Sequence, residues 1–458
     1  MVTIIKNGKI VTKDSVFNSD IKIVDGKISE ISPDIQCDDA QLVDAEGKYV
    51  LPGAIDSHTH LDLDTGITKT ADDFTSGSKA ALVGGTTTFI DFATQDKGAT
   101  LDDALLVWNE KADHKTYCDY GFHMAITDWN ERTKADMKKM IIAGIPTFKM
   151  YMAYKGSLQV DDAVIYEALE ESAKIGALVG FHCENGDLID ARVKENISQG
   201  HTGPYYHAQT RPSNVESEAV NRLMTISNLA GAPVWVVHLS TKEGLNFIRE
   251  ARIRGQEVVA ETCPQYLVLD VSKYGNPTDT NFDAAKYVMS PPLRDLEDQG
   301  ALWEGIARHE IDFISTDHCS FNMKGQKELG REDYSKIPNG GAGIEDRVLL
   351  LYTYGVCEDK ISISDMVALL CENPARKMGL NNKGSIEVGK DADLVILDPN
   401  HEDVFSVKTQ TQHVDYNGYE GMRRKGKIEQ VFLRGIQVVS NGKVVGEPKG
   451  KFVHRSFQ

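Results

Sequence analysis

The chain has 458 residues, 41% of them hydrophobic, 8% aromatic and 26% charged, and 68 acidic against 50 basic side chains give a formal charge of −18. That apolar share excludes a disordered chain, no apolar run approaches the ~18 residues of a membrane-spanning helix, and an acidic surface repels phosphate backbones, which disfavours nucleic acid as a partner. The length suits about three average domains, but a single α/β barrel can use most of it.

The opening, MVTIIKNGKIVT, has neither the apolar region nor the cleavage site of a signal peptide. Seven cysteines, dispersed and without a CxxC spacing, point to reduced thiols and away from disulfides or a cysteine-rich zinc site. Both features predict a cytoplasmic protein. The first fifty residues read as strands: TIIKNGKIVT, DIKIVDGKISEIS and AQLVDAEGKYVLP, cut by Asn7-Gly8, Asp25-Gly26 and Glu46-Gly47. Asn-Gly and Asp-Gly favour type I′ hairpin turns, which need positive φ at both central positions.

The middle alternates short β-rich runs with helical stretches. The runs are AIDSHTH (54–60), TTTFIDFA (86–93), YGFHMAI (120–126), TFKMYMA (147–153), LVGFHCE (178–184), VWVVHLS (234–240), EVVAETC (257–263) and DFISTDH (312–318). Helical spacing and a Gly stop mark DDAVIYEALEESAKIG between two of them. Such alternation predicts parallel strands with crossover helices. A count of eight favours a closed, TIM-like (β/α)8 barrel over an open sheet. No G-x-G-x-x-G or Walker sequence opens a helix. Two long connections, about 264–311 and 319–345, have lengths that usually signal function.

From about residue 380 the strand character returns in GSIEVGKDADLVILD, KIEQVFLRGIQVVS and Asn441-Gly442. Each β-rich end is too small for a good core, so the two should pair. The expected division is a barrel of residues 53–379 and a small β domain of residues 1–52 with 380–458. The last residues, with Lys449, Lys451, His454 and Arg455, read as a solvated basic tail or as an arm exchanged between subunits.

The chemistry sits at the strand ends. His58 and His60 lie two apart, on one face of a strand. Lys149 falls within the fourth run, and His182, His238 and Asp317 fall near the ends of the fifth, sixth and eighth. In a barrel these positions converge on one mouth, where active sites occur, and together they predict a metal site. A lysine inside an apolar strand is costly as a cation. Carboxylated by carbon dioxide, Lys149 would become an anionic ligand able to bridge two ions. One ion would take His58, His60, the carbamate and Asp317, the other the carbamate, His182 and His238. Nitrogen and oxygen donors suit zinc, with manganese, cobalt or nickel as alternatives. Two such ions ~3.5–4 Å apart lower the pKa of a shared water.

These residues carry a resemblance. Gly53-Ala54-Ile55-Asp56-Ser57-His58-Thr59-His60-Leu61 resembles the opening motif of the amidohydrolase superfamily, and VGKDADLVILD (388–398) its return strand. FKMYMAYKG (148–156), SPPLR (290–294), TDHCSFNMKGQKELGR (316–331) and KIPNGGAGIEDR (336–347) resemble the D-hydantoinase and dihydropyrimidinase family. The resemblance implies a barrel with a β-sandwich built from both termini, a homotetramer, and a small cyclic ureide or imide as substrate, opened to an N-carbamoyl amino acid. It implies that Lys149 is the carboxylated lysine and that His58, His60, His182, His238 and Asp317 are the other metal ligands. Asp317 is then the general base and acid, Tyr154 polarises the attacked carbonyl, and Ser290 and Asn339 hold the ring amide, largely through backbone groups. An allantoinase- or dihydroorotase-like enzyme is the alternative within enzymes; a non-catalytic scaffold of the same fold is the alternative outside them, and no missing ligand supports it.

Supporting roles are also expected. Asp56 should orient a ligand histidine or simply end its strand, while His123 and His318 read as structural. Tyr205, Tyr206 and His207 read as packing or subunit contact. Cys183 and Cys319, as strand neighbours of site residues, should point away from the mouth. Selectivity should come from loops 62–72, 93–98 and 151–158, with Leu63, Ile67, Tyr151 and Met152 beside the substrate's 5-substituent.

Overall fold

Two of the predicted hairpin signals turn the chain as expected. Asp25 and Gly26, with φ of 49° and 81°, join one strand pair, and Asn441 and Gly442, with φ of 50° and 72°, join another. Asn7-Gly8 does not turn the chain. It lies inside a continuous strand as a bulge, because the ladder resumes on both sides of it (Ile5 opposite Ile21, Gly8 opposite Ser19) and the Asp20 carboxylate accepts from the Asn7 N–H at 3.0 Å. A further two-residue turn, Arg434-Gly435, also has positive φ at both positions.

The structure is a computed structural model that describes residues 2–279 and 281–457; Met1, Thr280 and Gln458 lie outside it. Its first five strands are β1 (Val2–Val11), β2 (Val16–Val24), β3 (Lys27–Ser32), β4 (Gln41–Asp44) and β5 (Tyr49–Pro52). Eight barrel strands follow: β6 (Ala54–Thr59), β7 (Thr86–Thr94), β8 (Asp119–Ala125), β9 (Thr147–Tyr151), β10 (Leu178–His182), β11 (Val234–Val236), β12 (Val258–Thr262) and β13 (Phe313–Ile314). The last four are β14 (Leu394–Val404), β15 (Arg423–Leu433), β16 (Ile436–Ser440) and β17 (Lys443–Val444).

Strands β6 to β13 neighbour one another in chain order, so the eight sequence runs supply the eight barrel strands. The seam between β6 and β13 has no regular ladder and is held by other means. His60 N–H donates to His318 O at 2.8 Å, and the buried Arg347 guanidinium donates to Ile55 O at 2.8 Å and Ile314 O at 2.7 Å, one carbonyl from each strand. The crossover helix read from DDAVIYEALEESAKIG stops at its predicted glycine. In Asp162–Ile175 the Asp161 side chain caps the N-terminus and Gly176, at φ 69°, ends the helix.

The two chain ends form one nine-stranded mixed sheet in the order β17-β16-β15-β14-β5-β1-β2-β3, with β4 on β1. The join is antiparallel β5–β14 pairing, Val50 opposite Ile396. Ile10, Ile21, Ile28, Val43, Leu394 and Phe432 share one core, so strands from both ends of the sheet's path face a common interior. The connection after β12 is less irregular than the sequence suggests, since it contains the helix Leu296–Ala307.

The C-terminal tail departs from the solvated reading at Arg455. Lys449, Lys451 and His454 are exposed, but the tail runs back over the N-terminal ends of the same chain's barrel strands. Phe452 bridges Tyr120, and Arg455 is fully buried. The Arg455 guanidinium donates to Phe122 O, to Met378 O at 3.1 Å and to Thr147 Oγ1 at 2.8 Å.

Candidate metal centre at the barrel mouth

At the C-terminal ends of the barrel strands lies a cavity of about 340 Å³ lined by His60, Lys149, Tyr154, His182, His238 and Asp317, with Ser290 and Asn339 on its rim loops. His58, fully buried, reaches the same point: its Nε2 lies 2.8 Å from Lys149 Nζ and 3.1 Å from Asp317 Oδ1. His60 Nε2 is 3.2 Å from that same Oδ1. Across the cavity His182 Nδ1 faces His238 Nε2 at 2.9 Å. The six expected metal ligands, with Tyr154, Ser290 and Asn339, therefore gather at one site.

Strand geometry alone does not place them. His238 lies past the end of β11 and Asp317 past the end of β13, and both adopt left-handed backbone, at φ 39° and 53°, as does Tyr154 at φ 69°. Such conformations cost non-glycine residues about 1–3 kcal/mol each and concentrate at functional sites. Here they turn the side chains into the mouth where an extended strand would alternate them in and out.

Burial sets the charges. It pulls the Lys149 ammonium down to about 8 and the His60 imidazole down to about 4. It also lowers His182 and His238. Burial opposes ionisation of Asp317, but His58, His60 and His238 outweigh it and hold the carboxyl well below its usual range. The buried Tyr154 hydroxyl is pushed up and so stays a proton donor.

Two acids outside the predicted set orient the imidazoles. Glu261 Oε1 sits 2.7 Å from His58 Nδ1, and Glu184 Oε2 sits 2.8 Å from His182 Nε2. Each takes one ring nitrogen and turns the other toward the cavity. Both are buried in short apolar runs, EVVAETC and LVGFHCE, and an acid at such a position was the available signal. Asp56 does not orient a ring: its carboxylate accepts from His58 N–H at 3.3 Å and Thr316 Oγ1 at 2.6 Å, tying β6 to the Asp317 loop. Cys319 also departs from expectation. No strand extends that far, and its side chain lines the cavity. Cys183 is buried in the core. Of the proposed selectivity residues, Leu63, Ile67 and Tyr151 line the cavity, but Met152 is packed into the core.

The structural histidines are accounted for. His123 bonds Thr147 Oγ1 at 2.6 Å and Ser57 O at 2.9 Å. His318 bonds Asp72 at 3.1 Å and accepts from Gly343 N–H at 3.1 Å. His207, buried in Tyr205–Thr210, bonds Met289 O at 2.8 Å.

The profile of the Amidohydrolase family matches residues 49–445. The chain belongs to the amidohydrolase family. The D-hydantoinase of Geobacillus stearothermophilus is 46% identical to it over 459 residues, spanning 100% of this chain and 97% of that protein. Among solved structures, the dihydropyrimidinase from Brevibacillus agri superposes with a TM-score of 0.98 at 43% identity, covering 100% of both chains. The L-hydantoinase (dihydropyrimidinase) from Arthrobacter aurescens does so with a TM-score of 0.89 at 30% identity, covering 99% of this chain and 100% of that one. Within its family the chain thus falls in the hydantoinase and dihydropyrimidinase group that its motifs resemble.

The donors present in this amidohydrolase fit a metal centre. Ligand atoms of His58, His60 and Asp317 all lie within 4.8 Å of one another and could hold one ion. His182 and His238, whose Nδ1 and Nε2 lie 2.9 Å apart, are two further nitrogen donors at the same cavity. Such nitrogen and oxygen sets suit borderline divalent ions.

Proposed function

We propose that this amidohydrolase hydrolyses the ring C–N bond of small cyclic ureides and imides, of hydantoin or dihydropyrimidine type, and releases N-carbamoyl amino acids. The observation that carries this reading is the convergence of four histidines, a lysine and an aspartate on one cavity, in a chain whose full-length relatives are named hydantoinases and dihydropyrimidinases.

The proposed cofactor is a pair of divalent ions, zinc foremost, with manganese, cobalt or nickel as alternatives. His58, His60 and Asp317 would hold one, His182 and His238 the other, and Lys149 as a carbamate would serve both. A neutral amine is what carbon dioxide carboxylates, and burial that pulls Lys149 down to about 8 favours that form. When bound, the ions supply Lewis acidity, which activates water and polarises a carbonyl. The chain's own groups do the rest. Asp317 accepts the proton of the attacking water and returns it to the leaving ring nitrogen. Tyr154, held protonated by burial, donates to the oxygen that gains charge. Ser290 and Asn339 receive the ring amide through their main-chain groups.

The same reading divides the chain into a barrel of residues 53–379 and a small domain of residues 1–52 with 380–458. A cytoplasmic homotetramer is the form that the family resemblance supports; no helix among the described residues is long and apolar enough to cross a membrane.

The test is one activity panel on zinc- and manganese-loaded protein with bound metal measured alongside. Its substrates are dihydrouracil, hydantoin, aromatic 5-substituted hydantoins of each hand, allantoin and dihydroorotate. Turnover of the first three classes is expected. Turnover of allantoin or dihydroorotate alone would move the assignment to those enzymes, and a protein that neither binds metal nor turns over any ring would revive the scaffold.

A further inference from the structure

We infer that Lys327 is a positioning residue: its ammonium ties together the two loops whose main-chain groups at Ser290 and Asn339 receive the substrate's ring amide. The inference rests on the function proposed above and extends it to a residue outside the cavity lining.

Lys327 is fully buried, and among the described residues no carboxylate pairs with it. Its Nζ donates to Val288 O at 2.8 Å, Pro338 O at 2.7 Å and Gly340 O at 2.7 Å. A lysine ammonium has three donors, and here each meets one carbonyl. Burying a lysine is costly unless its donors are satisfied, so the geometry must be kept by the surroundings.

The position of those carbonyls is what assigns a role. Val288 precedes Ser290 by two residues, and Pro338 and Gly340 flank Asn339. The loops also meet directly: Gly340 N–H donates to Val288 O at 3.0 Å, and Ser290 Oγ donates to Asn339 Oδ1 at 3.2 Å. The main-chain N–H and C=O of Ser290 and of Asn339 have no protein hydrogen bond among the described residues, and both residues line the cavity. Lys327 therefore gathers one carbonyl from the Ser290 loop and the two that flank Asn339, and so fixes the spacing of the groups that remain for a ligand. Gly340 lets the loop press in: at φ 149°, a Cβ there would lie 2.3 Å from Cys319 O.

A lysine serving only the fold would set stability alone. A lysine that spaces the two loops sets substrate binding. The ring amide is held alike before and during attack, so its loss raises KM and spares kcat. The experiment uses the metal-loaded enzyme and whichever ring substrate the wild type turns over best, and compares wild type with Lys327→Gln and Lys327→Met. These keep three, two and no nitrogen-bound donors in turn. Expected is a graded rise in KM, about tenfold or more for Lys327→Met, with kcat within about threefold and metal content unchanged. Unchanged KM in a folded variant overturns the inference, as does a fall in kcat at constant KM or a parallel loss of metal. Failure to recover either variant folded also overturns it, since Lys327 would then serve the fold. A wild type inactive on every ring takes down the functional reading and this inference with it; an active wild type with unaltered variants takes down only the inference.

Discussion

The barrel's two ends hold the same residue types in opposite company. Below the barrel, Lys383 is surrounded by Asp119, Asp391 and Asp393 at 2.8, 3.2 and 2.6 Å. Burial opposes its charge, but the three carboxylates outweigh it and push the ammonium up. At the mouth, Lys149 faces His58 and is pulled down by burial, while His182 faces His238. The lower end is complete in the protein alone. The mouth instead gathers nitrogen donors and one carboxylate with no such ring of counter-charges, the set that the proposed ions would complete. Barrels of this class place function at the C-terminal face and stability at the other, and the two buried lysines show how that division is built in charge.

The contrast can be broken first at Lys149. Lys149→Ala should lose bound metal and activity together, and short carboxylic acids should partly restore both by standing in for the carbamate; activity and metal content measured with and without acid decide it. Asp317→Asn should lower kcat by about 100- to 10,000-fold, and a variant that kept its metals and full activity would remove Asp317 from the mechanism. Glu261→Gln keeps a group beside His58 Nδ1 but removes its charge, and metal affinity should fall about 10- to 100-fold, as competition with a chelator would show.

At the lower end the sign of the experiment reverses. Arg455→Met leaves Phe122 O and Met378 O without their donors, which should cost about 1–3 kcal/mol of stability with kcat/KM unchanged. A melting curve and one kinetic assay suffice, and a loss of activity without a loss of stability would contradict the division. The smallest effect is expected at Glu345, whose carboxyl is pushed up to about 8 by burial and by the adjacent Asp346. The unfolded chain releases this proton near the ordinary glutamate value of 4.5, so the folded state binds more protons between about 4.5 and 8 and loses stability as pH rises through that window. Glu345→Gln should therefore raise Tm more at pH 8 than at pH 5 (pH values chosen at about the two ends of the window).

Much of this was readable in the chain. Alternating runs and helical spacing placed all eight barrel strands, because a buried parallel strand and an amphipathic helix differ in period. His58, His60, Lys149, His182, His238 and Asp317 stood out because polar groups at apolar strand ends are costly. What escaped the reading is tertiary. The left-handed backbone at Tyr154, His238 and Asp317 depends on what packs around each residue, as does the inward turn of Cys319. Met152 falls where the β-rich run 147–153 overlaps the loop 151–158, and it packs in the core just past the end of β9. The tail's charges suggest solvent, which Lys449, Lys451 and His454 reach, whereas Arg455 finds carbonyls contributed by Phe122 and Met378, residues far away in sequence. Asn7-Gly8 bulges where the same dipeptide type at Asn441-Gly442 turns, and only the ladder on both sides distinguishes them.

The pairing of β5 with β14 has a consequence for how the molecule is made. Val50 finds its partner at Ile396, so on the ribosome the first five strands emerge long before the strand that completes their sheet. At ~5–20 residues per second that interval is on the order of tens of seconds. Throughout it the β5 edge stays open, and an open apolar edge is a template for pairing with other chains. Nascent molecules therefore expose that edge for as long as the barrel is being synthesised, until the C-terminal strands pair with it.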